Sequence, residues 1–390
     1  MLIGVVGGNL QGIEATYLAQ KAGWEVIVVD RKPDAPASGM CERYIQLEVT
    51  DGNDLGPALK SVDLVIPALE NQTTLVYLDQ WTRANGIAFA FDPAAYAITS
   101  SKVESNHLFT NLGLSIPTPW PACGLPVIAK PSLGSGSHKV TVFNETHSLQ
   151  HHIKESNEEW VIQEFVQGPS YSLEIIGIPD QYIPLTVTDL RMDAGYDCKR
   201  VMAPTDLPQS LISDFEYVSI SLARALSLKG LMDIEVILHQ NTLKILEVDA
   251  RLPSQTPTAV YWSTGLNMLK LVGELFLNRP VQRRTGAAPP RGVVYEHIQV
   301  SPNVLEVAGE HIMSGTDALR VEHDFFGADE AITNYAPGRN NWVATLIIAE
   351  PDRRSAWLKR NTIISEIRQH LKLDGYRDSS PGQINREEMT

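Results

Sequence analysis

The segment at 232–249 constrains the fold of this chain more than any other. Two apolar stretches, 232–238 and 243–249, are joined by polar residues at 239–242, which predicts an antiparallel hairpin. Acidic residues occupy alternate positions in both stretches: Asp233, Glu235, Glu247 and Asp249. Because alternate side chains share one face of a strand, the hairpin concentrates up to four carboxylates in one patch. The opposite face is apolar and is predicted to enter the core, with Ile234, Val236, Leu246 and Val248.

Carboxylates crowded in this way repel one another unless cations lie among them. Hard oxygen ligands suit Mg²⁺, which typically binds through one or two carboxylates together with the phosphates of a substrate. The hairpin therefore predicts a magnesium site. The alternative is a pair of solvated acidic strand faces.

A glycine-rich turn follows the first apolar strand, 2–6, and leads into a helical segment at 13–22. A second strand, 24–29, ends at Asp30. Such a turn brings backbone N–H groups close to a phosphate, and an acid in this place can hold a ribose hydroxyl. The spacing is not GxGxxG, and Ile13 stands where a P-loop requires lysine. A dinucleotide site and a plain tight turn both remain open.

A second loop of small residues begins at a lysine. Lys130 ends an apolar strand, and the loop up to Lys139 consists mostly of glycine and serine, including Ser132, Ser135 and Ser137. Small residues leave backbone amides free to surround an anion, and the lysine supplies a point charge. The alternative is a flexible hairpin end.

A polar, proline-stiffened loop is predicted at 250–258, directly after the acidic hairpin. Its Arg251 is suited to stabilise a phosphoryl group during transfer. The alternative is a solvent-exposed loop without a chemical role.

Charge and composition exclude several classes of protein. The chain has 32 Lys and Arg against 46 Asp and Glu, a net charge of −14, which argues against a general binder of nucleic acid or anionic membranes. Its three cysteines lie far apart without metal-ligand spacing, and no apolar run is long enough to span a membrane. We expect a cytoplasmic protein, and a homo-oligomer is compatible with this sequence.

The order of the elements predicts a mixed α/β and α+β chain of three domains. Strands alternate with helices over 1–95, which indicates a doubly wound parallel-sheet domain. Residues 96–285 are predicted to form a central domain with antiparallel strands, and 286–373 a strand-rich C-terminal domain. The polar tail, 374–390, is predicted to be disordered.

Taken in order, these features resemble the ATP-grasp family over about residues 1–370. The resemblance implies ATP as a cofactor, with Lys102 and Lys130 on its phosphates and the loop from Ser132 to Lys139 covering them. It implies an adenine-binding linker formed by Gln163, Glu164, Phe165 and Val166. It also implies that two Mg²⁺ ions are bound by Glu235, Glu247 and Asp249.

Narrower stretches, at 7–12, 196–198, 229–235, 247–257, 261–267 and 295–297, resemble the ATP-grasp amino-acid ligases of pyrrolysine biosynthesis. This resemblance implies that ATP activates the carboxylate of (3R)-3-methyl-D-ornithine as an acyl phosphate, which the ε-amine of L-lysine then attacks. Lys130 and Arg251 are the expected catalytic residues. Another amino-acid ligase of this family and an NAD-dependent oxidoreductase are the alternatives.

The same resemblance assigns the substrate contacts. The residues implied around methylornithine are Ser172, Glu174, Arg251, Ser254, Gln255 and Thr256, and Asp233 and Glu296 are further substrate-site candidates. Lysine is implied to bind at Leu10, Gln11 and Glu70, and a second nucleotide at Asn9 and Asp30. One departure concerns the ribose, because many relatives carry a glutamate after the glycine at 168, where this chain has Pro169 and Ser170.

Overall fold

A computed structural model describes residues 1–51, 55–134, 139–156, 158–281 and 289–381. The chain forms two compact units that interleave along the sequence. The first unit contains 1–91, 190–205 and the chain from 252 onward, and the second contains 92–189 and 206–251. The three predicted domains stay a prediction. Among the described helices, none combines the length and apolar character needed to cross a membrane.

The first unit begins with a five-stranded sheet in the order β3-β2-β1-β4-β5, and the strands pair in parallel. Its strands are β1 (Leu2–Val6), β2 (Glu25–Asp30), β3 (Arg43–Gln46), β4 (Leu64–Pro67) and β5 (Ala88–Phe89). Its helices are α1 (Leu10–Lys21), α2 (Gly56–Leu59) and α3 (Gln72–Asn85), with a 3₁₀ turn at Pro36–Gly39. The continuous apolar runs of β1, β2 and β4 are typical of parallel strands that are buried on both faces.

The turn between β1 and α1 requires glycine at two positions. Gly7 has a φ of 105°, and a Cβ on it would lie 2.3 Å from the carbonyl oxygen of Ala68. A Cβ on Gly12 would lie 2.2 Å from the carbonyl oxygen of Gly7. The glycines therefore allow α1 to begin tightly against the sheet.

The second unit contains a three-stranded sheet in the order β7-β6-β8 and part of a larger sheet in the order β13-β12-β9-β10. The strands are β6 (Val127–Pro131), β7 (Thr141–Phe143), β8 (Trp160–Glu164), β9 (Ser170–Ile178), β10 (Gln181–Met192), β12 (Gly230–His239) and β13 (Thr242–Asp249), and the last residues of β10 belong to the first unit. The helices are α4 (Pro93–Thr99), α5 (Lys102–Asn111), α6 (Thr146–Glu155) and α7 (Gln209–Ala225). One apolar cluster, including Leu173, Phe215, Ile234 and Val248, packs beneath the larger sheet.

The predicted acidic hairpin is confirmed as β12 and β13, which pair in antiparallel register with a bulge beside Glu235. The prediction that Leu246 enters the core is wrong, because the bulge shifts the alternation and Ile245 is buried there instead.

The turn of the hairpin is tighter than expected, because His239 already pairs with Thr242. Gln240 and Asn241 both have positive φ, 48° and 62°, as a two-residue hairpin turn of the primed type requires.

The remainder of the first unit contains a mainly antiparallel set of strands, in the order β11-β14-β18-β17-β16, with β15 on β14 and β19 on β15. The strands are β11 (Cys198–Ala203), β14 (Gly292–Ser301), β15 (Val304–Val307), β16 (Arg320–Phe325), β17 (Ala328–Thr333), β18 (Trp342–Glu350) and β19 (Gly375–Arg377). The helices are α8 (Thr256–Thr264), α9 (Met268–Phe276), α10 (His311–Ser314) and α11 (Arg353–Leu371). The predicted strand-rich character of this region is thereby confirmed.

Two further local predictions are wrong. The loop expected at 250–258 ends early, because Thr256 begins α8 and a proline lies in its first turn. Proline fits that position, since the first N–H groups of a helix have no partner within the helix. The tail is ordered at 374–381, where β19 pairs with β15 and the Asp378 carboxylate lies 2.6 Å from the Lys199 ammonium. The rest of the tail lies outside the described residues.

The ordered tail leads to a pH prediction for Asp378. Although burial raises the pKa of this carboxyl, Arg200 and Lys199 lower it to about 2. The unfolded pKa is higher, so the ion pairs stabilise the fold above about pH 4, and that contribution is lost as pH falls toward 2. We expect Asp378→Asn to lower the free energy of unfolding by about 1–2 kcal/mol at pH 7, allowing for solvent screening.

Urea denaturation of the wild type and Asp378→Asn, repeated from pH 7 to pH 3, measures this difference. Asp374→Asn is the matched control, because Asp374 is an exposed acid of the same segment. Equal stability of Asp378→Asn and wild type at pH 7 would contradict the prediction.

Candidate active site

Six polar side chains form two rows across the central strands of the second unit. In the first row, Glu174 of β9 pairs in register with Asp233 of β12, which pairs with Asp249 of β13. The second row lies two residues away on each strand and consists of Ser172, Glu235 and Glu247. Residues directly opposite on neighbouring strands have Cβ atoms about 4.5–5.5 Å apart. The structure therefore brings together all six positions that the sequence implied here.

The carboxylates of these rows are held close enough to affect one another. Burial raises the pKa of Asp233 well above its usual value, and the neighbouring Asp249 raises it further. Glu174 has no exposed surface, and one of its oxygens accepts a hydrogen bond of 3.1 Å from the Ser172 hydroxyl. Mutual repulsion of this kind is relieved when a cation binds among the oxygens.

Three cationic side chains accompany the carboxylates. The Lys102 ammonium lies 2.7 Å from a Glu247 oxygen, and an Arg251 nitrogen lies 3.1 Å from an Asp249 oxygen. Burial lowers the pKa of Lys130, whereas the nearby Glu247 raises it. Five carboxylates thus face three cations, a formal excess of two negative charges.

This donor set fits a divalent metal. Carboxylate oxygens are the ligands that Mg²⁺ prefers. Glu235, Glu247 and Asp249 would hold the metal, as the sequence implied. A bound Mg²⁺ neutralises charge on the phosphates of a nucleotide.

The fold positions the two lysines through short local contacts. Lys102 is the first residue of α5, and Ser101 caps that helix by accepting a bond from the Glu104 amide. The Lys102 amide donates to the carbonyl of Ser132, 2.8 Å away, at the end of the strand that carries Lys130. The start of α5 and the end of β6 therefore lie together.

The described residues include only the two ends of the predicted small-residue loop. The hydroxyl of Ser132 lies 3.1 Å from that of Ser101, and the Lys102 ammonium donates to the carbonyl of Gly134. Lys139 pairs with Glu158. Ser135 and Ser137 lie outside the described residues, so their predicted phosphate contacts stay a prediction.

Arg251 is fixed by the residue before it. The Ala250 amide is buried and donates to the hydroxyl of Thr99, 3.0 Å away, at the end of α4. This bond holds the chain where it leaves β13, so Arg251 stays beside Asp249. A guanidinium in that place is suited to a carboxylate or phosphate.

The predicted adenine linker follows β8. The Glu164 side chain accepts from Lys244 at 2.7 Å, a hydrogen bond that lowers the pKa of this carboxyl, and from the Thr118 amide at 3.2 Å. Gln163 and Val166 are buried, and the Phe165 amide donates to Pro126. Any contact of Glu164 with adenine would therefore use its backbone. Lys244 is a partner that the sequence reasoning missed.

The linker ends at Gly168, where the backbone leaves no room for a side chain. A Cβ on this residue would lie 2.0 Å from the carbonyl oxygen of Leu238 on β12. This close contact packs the end of the linker against the acidic hairpin. It gives no group in place of the ribose-binding glutamate, so the ribose contacts stay open.

In the first unit, two of the residues implied for lysine meet directly. The Gln11 amide nitrogen donates to a Glu70 oxygen at 2.9 Å, and Leu10 begins the helix that carries Gln11. Gln11 is buried and Glu70 is half-buried. The pair combines amide and carboxylate acceptors, which suit an ammonium group.

Asp30 and Asn9 shape the glycine turn. One Asp30 oxygen accepts from the Gly8 amide at 2.7 Å and the other from the Lys32 amide at 2.8 Å. Asn9 occupies the N-cap position of α1. These contacts are those of a tight turn, which was one of the two alternatives. Binding of a second nucleotide at Asn9 and Asp30 stays a prediction.

Glu296 has a structural role that the sequence did not indicate. It is fully buried on β14, and its carboxylate accepts hydrogen bonds from both Arg200 and Arg360. Both guanidinium groups also pair with Asp378 of the tail. Because both Glu296 oxygens are engaged, we do not include it in the proposed substrate site. Its partners come from distant segments, so no local sequence signal reveals them.

Comparison with known proteins identifies the fold. Residues 99–255 match the ATP-grasp domain family. N5-carboxyaminoimidazole ribonucleotide synthetase from Thermotoga maritima superposes with a TM-score of 0.65 at 18% identity, covering 93% of this chain and 98% of that one. The biotin carboxylase–beta-gamma-ATP complex from Campylobacter jejuni superposes with a TM-score of 0.71 at 13% identity, covering 94% and 91%. The predicted ATP-grasp fold is confirmed.

A narrower similarity extends over nearly the whole chain. The 3-methyl-D-ornithine–L-lysine ligase of Methanosarcina mazei is 33% identical over 363 residues, which are 93% of this chain and 94% of that protein. The corresponding ligase of Methanosarcina acetivorans is 32% identical, covering 92% and 95%. The chain therefore belongs to the family of the 3-methyl-D-ornithine–L-lysine ligases and contains an ATP-grasp domain.

Proposed function

We propose that this protein joins 3-methyl-D-ornithine to L-lysine at the expense of ATP, releasing ADP and phosphate, in the biosynthesis of pyrrolysine. The observation that carries the proposal is the meeting of the two carboxylate rows with Lys102, Lys130 and Arg251. Such a site suits an MgATP complex and an acid to be phosphorylated. The family membership supplies the identity of the two amino acids.

The reaction proceeds in two steps. The methylornithine carboxylate attacks the γ-phosphorus of ATP, forming an acyl phosphate and ADP. The ε-amine of lysine then attacks the acyl carbon, and phosphate leaves as the amide bond forms. Lys102 and Lys130 offset the charge of the phosphates, and Arg251 stabilises the group in transfer.

The acidic residues have two tasks in this scheme. Glu235, Glu247 and Asp249 would hold two Mg²⁺ ions, while Glu174 and Asp233, with Ser172, face the amines of methylornithine. Ser254, Gln255 and Thr256 stay predicted methylornithine contacts. Leu10, Gln11 and Glu70 hold lysine.

The lysine nucleophile must lose a proton before it attacks. A free ε-amine has a pKa near 10.4, so its neutral form costs about 4–5 kcal/mol at pH 7. The phosphate group of the acyl phosphate, or a nearby carboxylate, would accept this proton. Positioning of the two reactants supplies much of the remaining rate enhancement.

The direct test measures phosphate release from MgATP with L-lysine and 3-methyl-D-ornithine, together and separately, with mass detection of the amide. We expect full turnover only when both amino acids are present. Turnover with other amino-acid pairs, and none with this pair, would replace the proposal by another ligase specificity. Absence of any ATP-dependent amide would overturn it.

Glu247→Gln tests the metal site. The substitution removes a predicted metal ligand and the ion pair with Lys102, so we expect MgATP turnover to fall at least about 100-fold. Circular dichroism and thermal unfolding establish that the variant is folded. Glu145→Gln, an exposed substitution in the same unit, is the control. Retained turnover in the folded Glu247→Gln variant would remove Glu247 from the metal site.

Glu70→Ala tests the lysine contacts. Loss of a hydrogen-bonding charged group raises the apparent KM for L-lysine by roughly 10- to 100-fold, while the KM for ATP stays within about twofold. Steady-state kinetics with each substrate varied in turn measure both constants. Glu25→Ala, an exposed substitution in the same unit, is the matched control. Unchanged saturation by lysine would contradict the assignment.

A further inference from the structure

Glu14 is a buried acid that the proposed chemistry does not use. It lies on α1, one turn beyond Gln11, and only 1% of its surface is exposed. One of its oxygens, Oε1, accepts a hydrogen bond of 2.6 Å from the amide of Thr258 in the first turn of α8. Glu14 therefore joins the helix of the predicted lysine site to the helix that begins at Thr256.

Four buried side-chain oxygens at this junction have no hydrogen-bond partner among the described residues. Three of them are Oε2 of Glu14, Oε1 of Gln255 and Oγ1 of Thr256, and the fourth is the hydroxyl oxygen of Thr258. A buried polar group without a partner costs about 1–3 kcal/mol, so three together indicate a place where a ligand donates hydrogen bonds.

Backbone geometry at Gln255 supports the same conclusion. This residue has φ 74° and ψ −62°, the values of a classic γ-turn, which the Thr256 amide closes by donating to the Ser254 carbonyl at 2.9 Å, and which is rare for a residue with a side chain. Backbone strain of this kind persists where the surrounding structure enforces it, and it is concentrated at ligand sites. Here it accompanies a side chain that is 95% buried.

The hydrogen-bonding capacity of the three oxygens indicates which class of ligand can bind. Two are acceptors only and the third is a hydroxyl, so the ligand must supply several donors. A primary ammonium carries three N–H donors, no acceptor, and a positive charge. The titratable groups that face Glu14 are Tyr17 on α1, Tyr295 on β14 and Glu310 before α10. None of the three carries a positive charge, so a cation beside an ionised Glu14 would be supplied by the ligand.

We propose that Glu14 is a substrate-binding residue, whose Oε2 receives a primary ammonium of an amino-acid substrate together with Oε1 of Gln255 and Oγ1 of Thr256. This inference rests on the proposed function, because both of its amino acids carry such groups. The ammonium belongs either to lysine or to the ornithine substrate, and the experiment distinguishes the two.

Ammonium binding at Glu14 has a measurable proton balance. Burial raises the pKa of Glu14 to about 8, although its bonds to Thr258 lower it, so the free acid is mainly protonated at pH 7. A bound ammonium favours the carboxylate, and so does the N-terminus of α8. The proton of Glu14 then passes to the solvent, and binding at pH 7 releases up to about 0.9 proton for a pKa near 8.

Isothermal titration calorimetry of the full-length protein, with Mg²⁺ and a non-hydrolysable ATP analogue, tests this balance. L-lysine and 3-methyl-D-ornithine are titrated separately at pH 7 in buffers of different ionisation enthalpy. We expect proton release with one of the two amines, which identifies the substrate bound at Glu14. The release should disappear above about pH 9, where the free carboxyl is already ionised.

Glu14→Gln keeps the size and one carbonyl oxygen but cannot ionise. We expect it to bind the same amine about 10- to 100-fold more weakly and without proton release. Gln255→Gly removes the second acceptor, and glycine adopts a positive φ without strain. We therefore expect weaker amine binding in a protein of undiminished stability. Glu25→Gln, at an exposed position, is the matched control and should bind as the wild type does.

The outcomes separate this inference from the proposed function. Binding of an amine without proton release in the wild type, or an unchanged release in Glu14→Gln, overturns the role of Glu14 and leaves the ligase proposal intact. Failure of both amines to bind overturns the proposed function and this inference with it. If Glu14→Gln does not fold, the wild-type proton release and Gln255→Gly decide the question.

Discussion

The site depends on the crowding of carboxylates across β9, β12 and β13, and on the core that lies beneath them. Leu173, Ile234 and Val248 alternate with the acids and are buried in the apolar cluster of the second unit. A shift of one residue in strand register would drive the carboxylates into that core and expose the apolar residues. Burial of the apolar face therefore fixes the acidic face, and the mutual repulsion of its groups is imposed by the fold.

The two units present different chemistry to their ligands. In the second unit, lysines and an arginine stand beside carboxylates, as a substrate with phosphates and a metal requires. In the first unit, the pair Gln11–Glu70 and the buried Glu14 offer hydrogen-bond acceptors and negative charge. These acceptors suit amino groups rather than phosphates. The division matches a reaction in which a nucleotide activates one amino acid for attack by another.

The sequence was sufficient for features that depend on local periodicity. Alternation of apolar and acidic residues predicted the hairpin and its faces, and the strand lysine before small residues located Lys130. It was insufficient where the partner is distant. Glu296 pairs with Arg200 and Arg360, which are 96 and 64 residues away. The prediction of a disordered tail was wrong for the same reason, because Asp378 pairs with Lys199 and Arg200, which lie far away in the sequence.

The net charge of −14 would by itself repel a nucleotide, and the local balance does not reverse this effect. The carboxylates of the site outnumber its cations by two, so free ATP meets an excess of negative charge. A divalent cation removes that excess and also neutralises part of the charge on the phosphates. Metal and nucleotide binding are therefore coupled by electrostatics, because a bound metal lowers the repulsion that the nucleotide meets. The acidic character of the protein thus selects the magnesium complex of ATP over the free nucleotide.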